Sequence, residues 1–314
     1  MTITQIEYIL AVEKHRNFVQ AADSCCVTQP TLSMQIQKLE DELGVKIFDR
    51  SRQPLITTNI GKEIIQQARI AVLEFYKINE TINSNKHDVS GEIRLAIIPT
   101  IAPYLLPLFL NNFLELYPTI ELKIRELTTD KIIQSLKNNE IDIGLLATPL
   151  QQDDIQEFPI FYEELVLYVS KFNAIYQKKY ALSEDINPNE LWLLEEGHCL
   201  RSQIENLCEL KRKSIGQKRF EYQAGSLETL RKMVERNQGI TILPELATLD
   251  FDEERMNLIR HFKSPAPVRE VSLVVHKNFA KTGILKALQN CIFESLPEEF
   301  KENKPKNILT VDSD

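Results

Sequence analysis

The chain has 314 residues, 43% of them hydrophobic, and a formal net charge of −8. Its length predicts two or three domains, and its composition excludes an intrinsically disordered protein. No apolar run approaches the ~20 residues of a membrane span, and we expect no secretion signal. Five cysteines, an odd number, argue against a permanent disulfide framework. The expected location is the cytoplasm, where thiols are normally reduced.

The acidic total is distributed unevenly along the chain. Residues 1–62 carry seven basic and seven acidic side chains, so the excess of acid lies beyond them. Between Ser24 and Leu39 there is no acidic residue at all. A surface that faces nucleic acid needs such a local absence of acid more than it needs a basic total. The N-terminal segment is therefore compatible with DNA binding.

Three short helices are predicted at the N-terminus. The first ends at His15, and the second covers 18–24 after the N-cap residue Asn17. The third begins after Thr28, has a proline in its first turn and ends before Gly44. Its apolar stripe consists of Leu32, Ile36, Leu39 and Leu43. Helix, tight turn and helix with a polar outer face is the helix-turn-helix pattern.

The polar face of the third helix is the predicted reader of the DNA major groove. Glutamine can pair with adenine, proline and threonine can contact a thymine methyl, and serine or lysine can hold phosphate. The expected contacts are Gln29, Pro30, Thr31, Ser33, Gln35 and Lys38. Residues 45–57 predict a β-hairpin with Arg50 and Arg52 at its tip, as in a winged helix-turn-helix. The alternative is that these polar side chains are merely solvated.

A long helix is predicted over residues 59–83, followed by a polar hinge to residue 90. Its apolar positions follow the heptad spacing of a coiled coil. They are Ile64, Ala68, Ala71, Phe75, Ile78 and Ile82. We interpret this seam as a dimerisation helix, because residues 1–62 leave no other element to cover it. The alternative is a helix packed on its own domain.

From residue 91 the pattern alternates strands and helices, which predicts a parallel α/β sheet. A second series of elements begins near residue 165 and the last strand and helix return to the first. The expected result is a two-lobed α/β domain with a cleft. The predicted divisions are a head at 1–58, a linker at 59–90, lobe I at 91–163 and 268–300, lobe II at 164–267, and a polar, frayed tail at 301–314.

The segment around Cys199 carries the most chemical information. Cys199 stands beside His198 and two residues before Arg201, and Cys208 follows nine positions later. A cation or a helix N-terminus lowers a thiol pKa, and we expect a helix to start at Leu200. Nine helical residues span about 13.5 Å, whereas a disulfide needs Cα atoms within ~7 Å. A helical segment would have to unwind before the two sulfurs could join. The alternative is that both are ordinary core cysteines, as we expect for Cys25, Cys26 and Cys291.

The chain resembles the LysR-type transcriptional regulators over its whole length. The matching head motifs are Phe18-Val19-Gln20-Ala21-Ala22, Thr28-Gln29-Pro30-Thr31-Leu32-Ser33, Ile36-Gln37-Lys38-Leu39-Glu40 and Leu43-Gly44-Val45-Lys46-Ile47-Phe48-Asp49-Arg50. A more specific resemblance is to the peroxide-sensing members of that family. It rests on Glu196-Gly197-His198-Cys199-Leu200-Arg201 with Cys208, on Pro99-Thr100, Pro103-Tyr104-Leu105-Leu106-Pro107 and Thr129, and on Ser226-Leu227-Glu228-Thr229-Leu230-Arg231-Lys232-Met233-Val234.

The resemblance implies a regulatory domain like a type 2 periplasmic binding protein. It also implies that Cys199 is the peroxidatic cysteine and Cys208 the resolving one. His198, Thr100, Thr129 and Arg269 are implied as groups that assist at the site. The expected protein is a redox-responsive activator of oxidative-stress genes, a homodimer or homotetramer, and not an enzyme. Its expected partners are an inverted repeat in promoter DNA, RNA polymerase, hydrogen peroxide and a reductant such as glutaredoxin or thioredoxin. No cofactor or metal is expected.

Two other functions remain open at this point, and a third is rejected for the expected lack of an export signal. The first keeps the DNA-binding head but uses the cleft for a small metabolite. The second is a thiol peroxidase, which would leave the head without a purpose. The third is a solute-binding receptor, for which an export signal is lacking. Replacing Cys199 with serine separates the first from peroxide sensing.

Overall fold

The structure is a computed structural model of the chain. It describes residues 1–52, 54–83, 90–208, 224–301 and 307–311, and for residues 73 and 76–83 the backbone alone. The chain divides into two compact units, residues 1–88 with 278–281 and residues 89–277 with 282–314. In the described ranges, no helix is both long and apolar enough to cross a membrane. Most of the predicted hinge lies outside the described residues.

The first unit begins with the three predicted helices, α1 (Ile3–His15), α2 (Phe18–Ser24) and α3 (Gln29–Leu43). Each begins at a side chain that accepts backbone N–H groups: Thr2 from Gln5, Asn17 from Val19 and Gln20, and Thr28 from Thr31. Such caps satisfy donors that a helix end otherwise leaves unpaired. Gly44 ends α3 with φ of 69°, a left-handed conformation that glycine adopts freely.

The core of this unit is formed by the inner faces of its helices. Its buried members are Ile6, Tyr8, Ile9, Val12, Ala21, Ala22, Leu32, Ile36, Leu39, Ile47, Phe48, Ile65 and Ala68. One predicted core position is wrong, because Leu43 is 39% exposed. Glu40 is buried near the end of α3 instead, and its carboxylate accepts the backbone N–H of Ile47.

The wing and the long helix follow as predicted. Strands β1 (Phe48–Asp49) and β2 (Ile56–Thr57) pair antiparallel, and α4 covers Asn59–Asn83. The start of the predicted seam packs on its own unit, since Ala68 is buried in the head core. Farther along, Ala71 and Phe75 are exposed. The packed-helix alternative thus describes the start of the seam, and dimerisation through its exposed part stays a prediction. The side chains of Ile78 and Ile82 lie outside the described residues.

The second unit opens with the predicted β-α-β-α-β series. It consists of β3 (Gly91–Ile97), α5 (Ala102–Leu116), β4 (Ile120–Glu126), α6 (Thr129–Lys137) and β5 (Ile143–Thr148). β3 pairs in parallel with both β4 and β5, which confirms the α/β fold expected from the alternation. All six residues of β5 are buried, as expected for a strand covered on both faces.

The remaining elements build the rest of the sheet around two long strands. They are β6 (Ile155–Val169), β7 (Tyr180–Ala181), α7 (Cys199–Leu207), α8 (Leu227–Arg236), β8 (Ile240–Pro244), α9 (Glu253–Met256), β9 (Ile259–Phe262), β10 (Val268–His276) and α10 (Thr282–Ser295). β6 pairs with β10 up to Glu164 and with β8 from Leu165 onward. The strand order is β4-β3-β5-β10-β6-β9-β7, with β8 also on β6.

The prediction differs from the structure in three places. The second series does not open with a new strand near residue 165, because residues 165–169 are the end of β6. Residues 191–194, which continue that series, form two isolated bridges and not a strand. The frayed tail is wrong for residues 307–311, where Ile308 bridges to Val268 and Val311 is buried. These errors share a cause, since pairing partners distant in sequence decide whether a short apolar segment becomes a strand.

Candidate functional site

Cys199 is the first residue of α7, one position earlier than the predicted helix start. Its side chain is buried, with 5% of the residue exposed. His198 occupies the N-cap position but its side chain makes no capping hydrogen bond. Neither Cys199 nor Cys208 is in a disulfide in this structure. The structure therefore represents the thiol form of the segment.

Burial raises the pKa of the Cys199 thiol above its ordinary value. Four groups act in the opposite direction: the hydroxyl of Thr129, the positive charge of Arg269, and backbone groups of Leu200 and Ala147. They do not overcome the loss of solvation, which favours the neutral thiol. The expected lowering of the pKa is therefore wrong for this conformation.

The two cations expected beside Cys199 are not its partners. The imidazole of His198 is buried, and burial lowers its pKa more than Glu195 raises it, so His198 is neutral at pH 7. The guanidinium of Arg201 donates to a Glu205 carboxylate oxygen at 2.8 Å and to the Leu194 carbonyl at 3.0 Å. The positive charge that acts on Cys199 comes instead from Arg269, which lies 70 positions later.

Arg269 is fully buried on β10 and is held by two partners. Its Nη1 donates to Thr100 Oγ1 at 3.1 Å. Its Nε and Nη2 donate to the same Glu163 oxygen at 3.0 Å and 2.6 Å. Glu163 is buried on β6 and also accepts the backbone N–H of Leu246. A buried guanidinium needs such an acid, because an unpaired buried charge is strongly unfavourable.

Sequence reasoning did not identify Glu163. The signal was present in principle, since a guanidinium proposed for a buried site requires a carboxylate nearby. The sequence around Glu163, however, has two adjacent acids in an apolar strand, and only the fold shows which of them faces inward. Glu163 is 1% exposed, whereas Glu164 is only partly buried.

Thr129 is the first residue of α6, and its side-chain hydroxyl lies near Cys199. Its Oγ1 is buried and has no hydrogen-bond partner among the described residues, although it is close enough to Cys199 to lower the thiol pKa. The Thr129 oxygen lies near the sulfur but does not meet hydrogen-bond geometry with it. A buried polar atom without a partner can accept a small polar molecule at low cost. Thr129 and the Thr100–Arg269 pair could hold one beside the sulfur.

Cys208 lies at the other end of α7. It is the C-cap residue, its N–H donates to the Ile204 carbonyl at 3.0 Å, and it is 2% exposed. It belongs to the same apolar cluster as Leu200 and Ile204. The helix therefore separates the two sulfurs, and about 13.5 Å of axial rise lies between them.

The second candidate site is the outer face of α3. Gln29, Pro30, Thr31 and Lys38 are exposed there, and Ser33 is partly buried. Gln35 is also only partly exposed, and its side-chain oxygen accepts a hydrogen bond from Gln5 of α1 at 3.2 Å. Gln35 thus helps to join two helices of the head, a contact that the helical spacing did not predict.

The arginines of the wing differ in their surroundings. Arg50 donates to Glu40 at 3.3 Å and to Ser33 at 3.4 Å, and its guanidinium stacks over the Phe18 ring at 5.1 Å. Arg52 has 67% of its side chain exposed and lies 3.5 Å from an Asp49 oxygen. Arg52 is therefore the freer of the two for a phosphate, while Arg50 ties the wing to α3.

Glu40 is the residue of the head that sequence reasoning missed. One oxygen accepts the backbone N–H groups of Ile47 and Phe48 at 2.8 Å and 3.2 Å. The other lies 3.3 Å from both Lys46 and Arg50. A carboxylate with four donors can be buried without net loss, because each donor replaces part of its hydration. Glu40 thereby fixes the wing relative to the recognition helix.

The remaining cysteines are Cys25, Cys26 and Cys291, and all three are free thiols. Cys291 is buried on α10, Cys25 is partly buried and Cys26 is exposed. Within the described residues there is no group of three or more His, Cys, Asp or Glu side chains that could hold a metal ion.

Two family models match the chain. The lysR-family model of bacterial regulatory helix-turn-helix proteins matches residues 3–62, and the LysR substrate binding domain matches residues 86–297. Together they span both described units. The chain belongs to the LysR family of bacterial helix-turn-helix regulators, a family of transcription regulators rather than an enzyme class.

Individual relatives place it more narrowly within that family. The hydrogen peroxide-inducible genes activator of Haemophilus influenzae is 35% identical, over 87% of this chain and 90% of the relative. The DNA-binding transcriptional dual regulator OxyR of Escherichia coli K12 is 35% identical, over 79% of this chain and 80% of the relative. A full-length cysteine-to-aspartate variant of Pseudomonas aeruginosa OxyR is 31% identical with a TM-score of 0.76, covering 93% of this chain and 98% of that one. These relatives belong to the OxyR group of LysR regulators, and so does this chain.

Proposed function

We propose that the protein is a transcription regulator that responds to hydrogen peroxide through Cys199. The observation that carries the proposal is the position of the Cys199 thiol. The thiol is buried at the start of α7 and within the field of Arg269, beside the Thr129 hydroxyl, which has no hydrogen-bond partner among the residues that the structure describes. Burial excludes large oxidants, and the polar groups suit a molecule as small as peroxide. The peroxide-inducible activators among its relatives support the same chemistry.

The reaction oxidises both cysteines and reduces peroxide to water. The Cys199 sulfur attacks one peroxide oxygen, an S–O bond forms and the O–O bond breaks. The departing hydroxide takes the thiol proton and leaves as water. The Cys208 thiol then attacks the sulfenic sulfur, which forms the disulfide and releases a second water. An external dithiol, such as a glutaredoxin or thioredoxin, reverses the change by giving two electrons and two protons to the disulfide, and is itself oxidised to a disulfide.

Arg269 and the two threonines contribute by binding and polarising peroxide. Burial raises the pKa of the Cys199 thiol, so a polar group that stabilises developing charge is needed for attack. The Thr100 hydroxyl accepts from Arg269 and can donate its own hydrogen onward, while Thr129 has its hydroxyl free among the described residues. His198, neutral and buried, serves as a hydrogen-bonding group rather than as a cation.

The second step requires α7 to unwind. Leu200 and Ile204 must leave the apolar cluster, and burial of each is worth roughly 1.5–3 kcal/mol. The oxidised form must recover this energy in a different packing. A helix with two alternative packings is a bistable element that couples the redox state to the rest of the protein.

The same proposal assigns DNA binding to the head. The proposed contacts with the major groove are those of the outer face of α3: Gln29, Pro30, Thr31, Ser33 and Lys38. Arg52 reaches a phosphate. Arg50 and Gln35 hold α3 in position through their contacts within the head. Two heads of a homodimer bind an inverted repeat, one helical turn apart. The exposed Ala71 and Phe75 of α4 suit a contact with a second copy. We propose a cytoplasmic homotetramer of two such dimers that acts on oxidative-stress promoters through RNA polymerase.

Mapping of thiols by mass spectrometry tests the sensor. A pulse of hydrogen peroxide should link the peptides that contain Cys199 and Cys208, and Cys199→Ser should abolish both the link and the transcriptional response. Cys291→Ser, which removes another buried cysteine, is the matched control and should respond normally. A peroxide response that persists in Cys199→Ser would favour a regulator that binds a metabolite in its cleft.

A further inference from the structure

Residues 307–311, which we call the C-terminal strap, run alongside the start of β10. The Val268 N–H donates to the Asn307 carbonyl at 3.0 Å, and the Leu309 N–H donates to the Val268 carbonyl at 2.8 Å. Ile308 and Val268 form a parallel bridge. The strap thus extends the sheet at the residue that directly precedes Arg269.

The strap also contacts α7 through its buried face. Gln203 of α7 is fully buried, and its Nε2 donates to the Leu309 carbonyl at 3.3 Å. The Leu309 side chain packs against the apolar cluster that contains Leu200, Ile204 and Cys208. Gln203 therefore satisfies one of its amide atoms on the strap, while its Oε1 has no hydrogen-bond partner among the described residues.

Both ends of the strap are fixed to neighbouring loops. The Asn307 side chain donates to the carbonyls of Pro265 and Ala266 at 3.3 Å and 3.1 Å. At the other end Val311 is 4% exposed, and its N–H donates to the Pro149 carbonyl at 3.3 Å. Backbone pairing and burial on this scale distinguish the strap from a chain end that merely lies on the surface.

We propose that the C-terminal strap holds α7 in its helical form and so positions Cys199 and Cys208 apart. The bond from Gln203 to Leu309 requires Gln203 to stand in its buried position on the folded α7. An interaction made in one of two states shifts the equilibrium toward that state. As a consequence, which rests on the proposed function, the strap raises the amount of peroxide needed to form the disulfide.

Two truncations of the full chain test the strap. Ending the chain after residue 306 removes it, and ending the chain after residue 311 keeps it and serves as the matched control. Hydrogen exchange of the thiol form should be roughly fivefold faster or more at the α7 amides in the shorter chain, a change in the range of one or two net hydrogen bonds. The amides of α10 should exchange at the same rate in both.

A milder variant guards against loss of the fold. Val311→Ala loosens the far end of the strap without touching α7, and should speed α7 exchange by roughly twofold to fivefold. Unchanged α7 exchange in both Val311→Ala and the shorter chain overturns the proposal, and so does equal acceleration in α7 and α10.

The disulfide readout separates the strap from the sensor. In the shorter chain, half of the molecules should be linked between Cys199 and Cys208 at a lower peroxide concentration than in the control. A merely structural strap would leave this concentration unchanged. If no variant forms the link although α7 exchange responds as expected, the peroxide sensor is wrong while the hold on α7 stands.

Discussion

Helices α3 and α7 carry the two candidate sites, but they are built in opposite ways. α3 has 15 residues, a threonine cap at its start and a left-handed glycine at its end. α7 has nine residues, no side-chain cap at its start and a buried glutamine whose oxygen has no hydrogen-bond partner in the described part of the chain. Short helices without caps are marginal on their own and depend on packing. A reader of DNA benefits from a fixed helix, whereas a redox switch needs one that can open.

Acidic side chains in the two units also differ in their surroundings. Glu40 beside α3 accepts two backbone N–H groups and lies near two cations. Glu245 in the second unit lies near other acids, and burial followed by Glu164 raises its pKa to about 7. The head thus surrounds its buried carboxylate with donors, as Arg269 does for Glu163 in the second unit, whereas the partly buried Glu245 lies among like charges. Four substitutions test this difference, in order of decreasing effect.

Glu40→Ala should cause the largest loss. It leaves the buried N–H groups of Ile47 and Phe48 without an acceptor and releases the wing from α3. We expect the free energy of unfolding of the head to fall by about 3 kcal/mol or more, with weaker DNA binding. Urea denaturation and DNA titration measure the two effects.

The control for this variant is Glu42→Ala. Glu42 is exposed, and its partner is the N-terminal amine at 2.6 Å. Surface changes of this kind stay within roughly 0.5 kcal/mol. Equal denaturation midpoints for the two variants would show that Glu40 does not anchor the wing.

Ile204→Ala should destabilise α7 by about 2–4 kcal/mol, because it removes a side chain that is 3% exposed. Since α7 must open to oxidise, this variant should form the Cys199–Cys208 disulfide at lower peroxide. Ile242→Ala, in the same apolar cluster but on β8, is the matched control. It should lose similar stability without gaining sensitivity. The same gain in both would mean that general loosening, not α7, governs oxidation.

Glu245→Gln should stabilise the protein at high pH. The folded-state pKa, about 7, lies above the unfolded value of roughly 4.3. Stability from the neutral carboxyl is complete below the unfolded pKa and is lost as pH rises through the folded one. Glutamine cannot ionise, so the variant should be more stable by about 1–2 kcal/mol at pH 8, after allowance for partial solvent screening.

At pH 5 that advantage should be much smaller, and urea denaturation at both pH values measures it. The exposed Glu184→Gln is the control and should change stability little at either pH. A stabilisation by Glu245→Gln that is the same at pH 5 and pH 8 contradicts the assignment of a raised pKa.

Thr28→Ala should give the smallest effect, about 1 kcal/mol. The Thr28 oxygen accepts the Thr31 N–H at the start of α3. Ser226 occupies the same position on α8 but makes no capping hydrogen bond there. Ser226→Ala should therefore leave stability unchanged. If both variants lose the same free energy of unfolding, the Thr28 cap does not stabilise the start of α3.

Local patterns in the sequence predicted most of the fold. The bounds of α2, α3 and α4 follow from Asn17, Thr28 and Gly44 and from the apolar spacing, which act within a few residues. The sequence did not predict strands β7 and β9. Both are short, and they pair in parallel with each other although they lie far apart in the sequence. No local signal specifies such pairing.

The residues of the candidate site that belong to a sequence motif could be predicted. The residues that only the fold brings together could not. The segment of His198 and Cys199 indicated the thiol, but the expected roles of His198 and Arg201 as cations were wrong. Burial and the neighbours Glu195 and Glu205 decide both of those roles. Glu163 could not be assigned, since its partner Arg269 lies 106 positions away in the sequence.

Strand β6 is a single piece of backbone shared by both halves of the second unit. It leaves β10 at Glu164 and joins β8 at Leu165, one and two residues after Glu163, the acid that holds Arg269. The positive charge of Arg269 acts on the Cys199 thiol, so the electrostatic surroundings of that thiol are fixed next to this crossover. The acid that anchors the guanidinium and the passage of β6 from one part of the sheet to the other therefore lie within three consecutive residues of the chain.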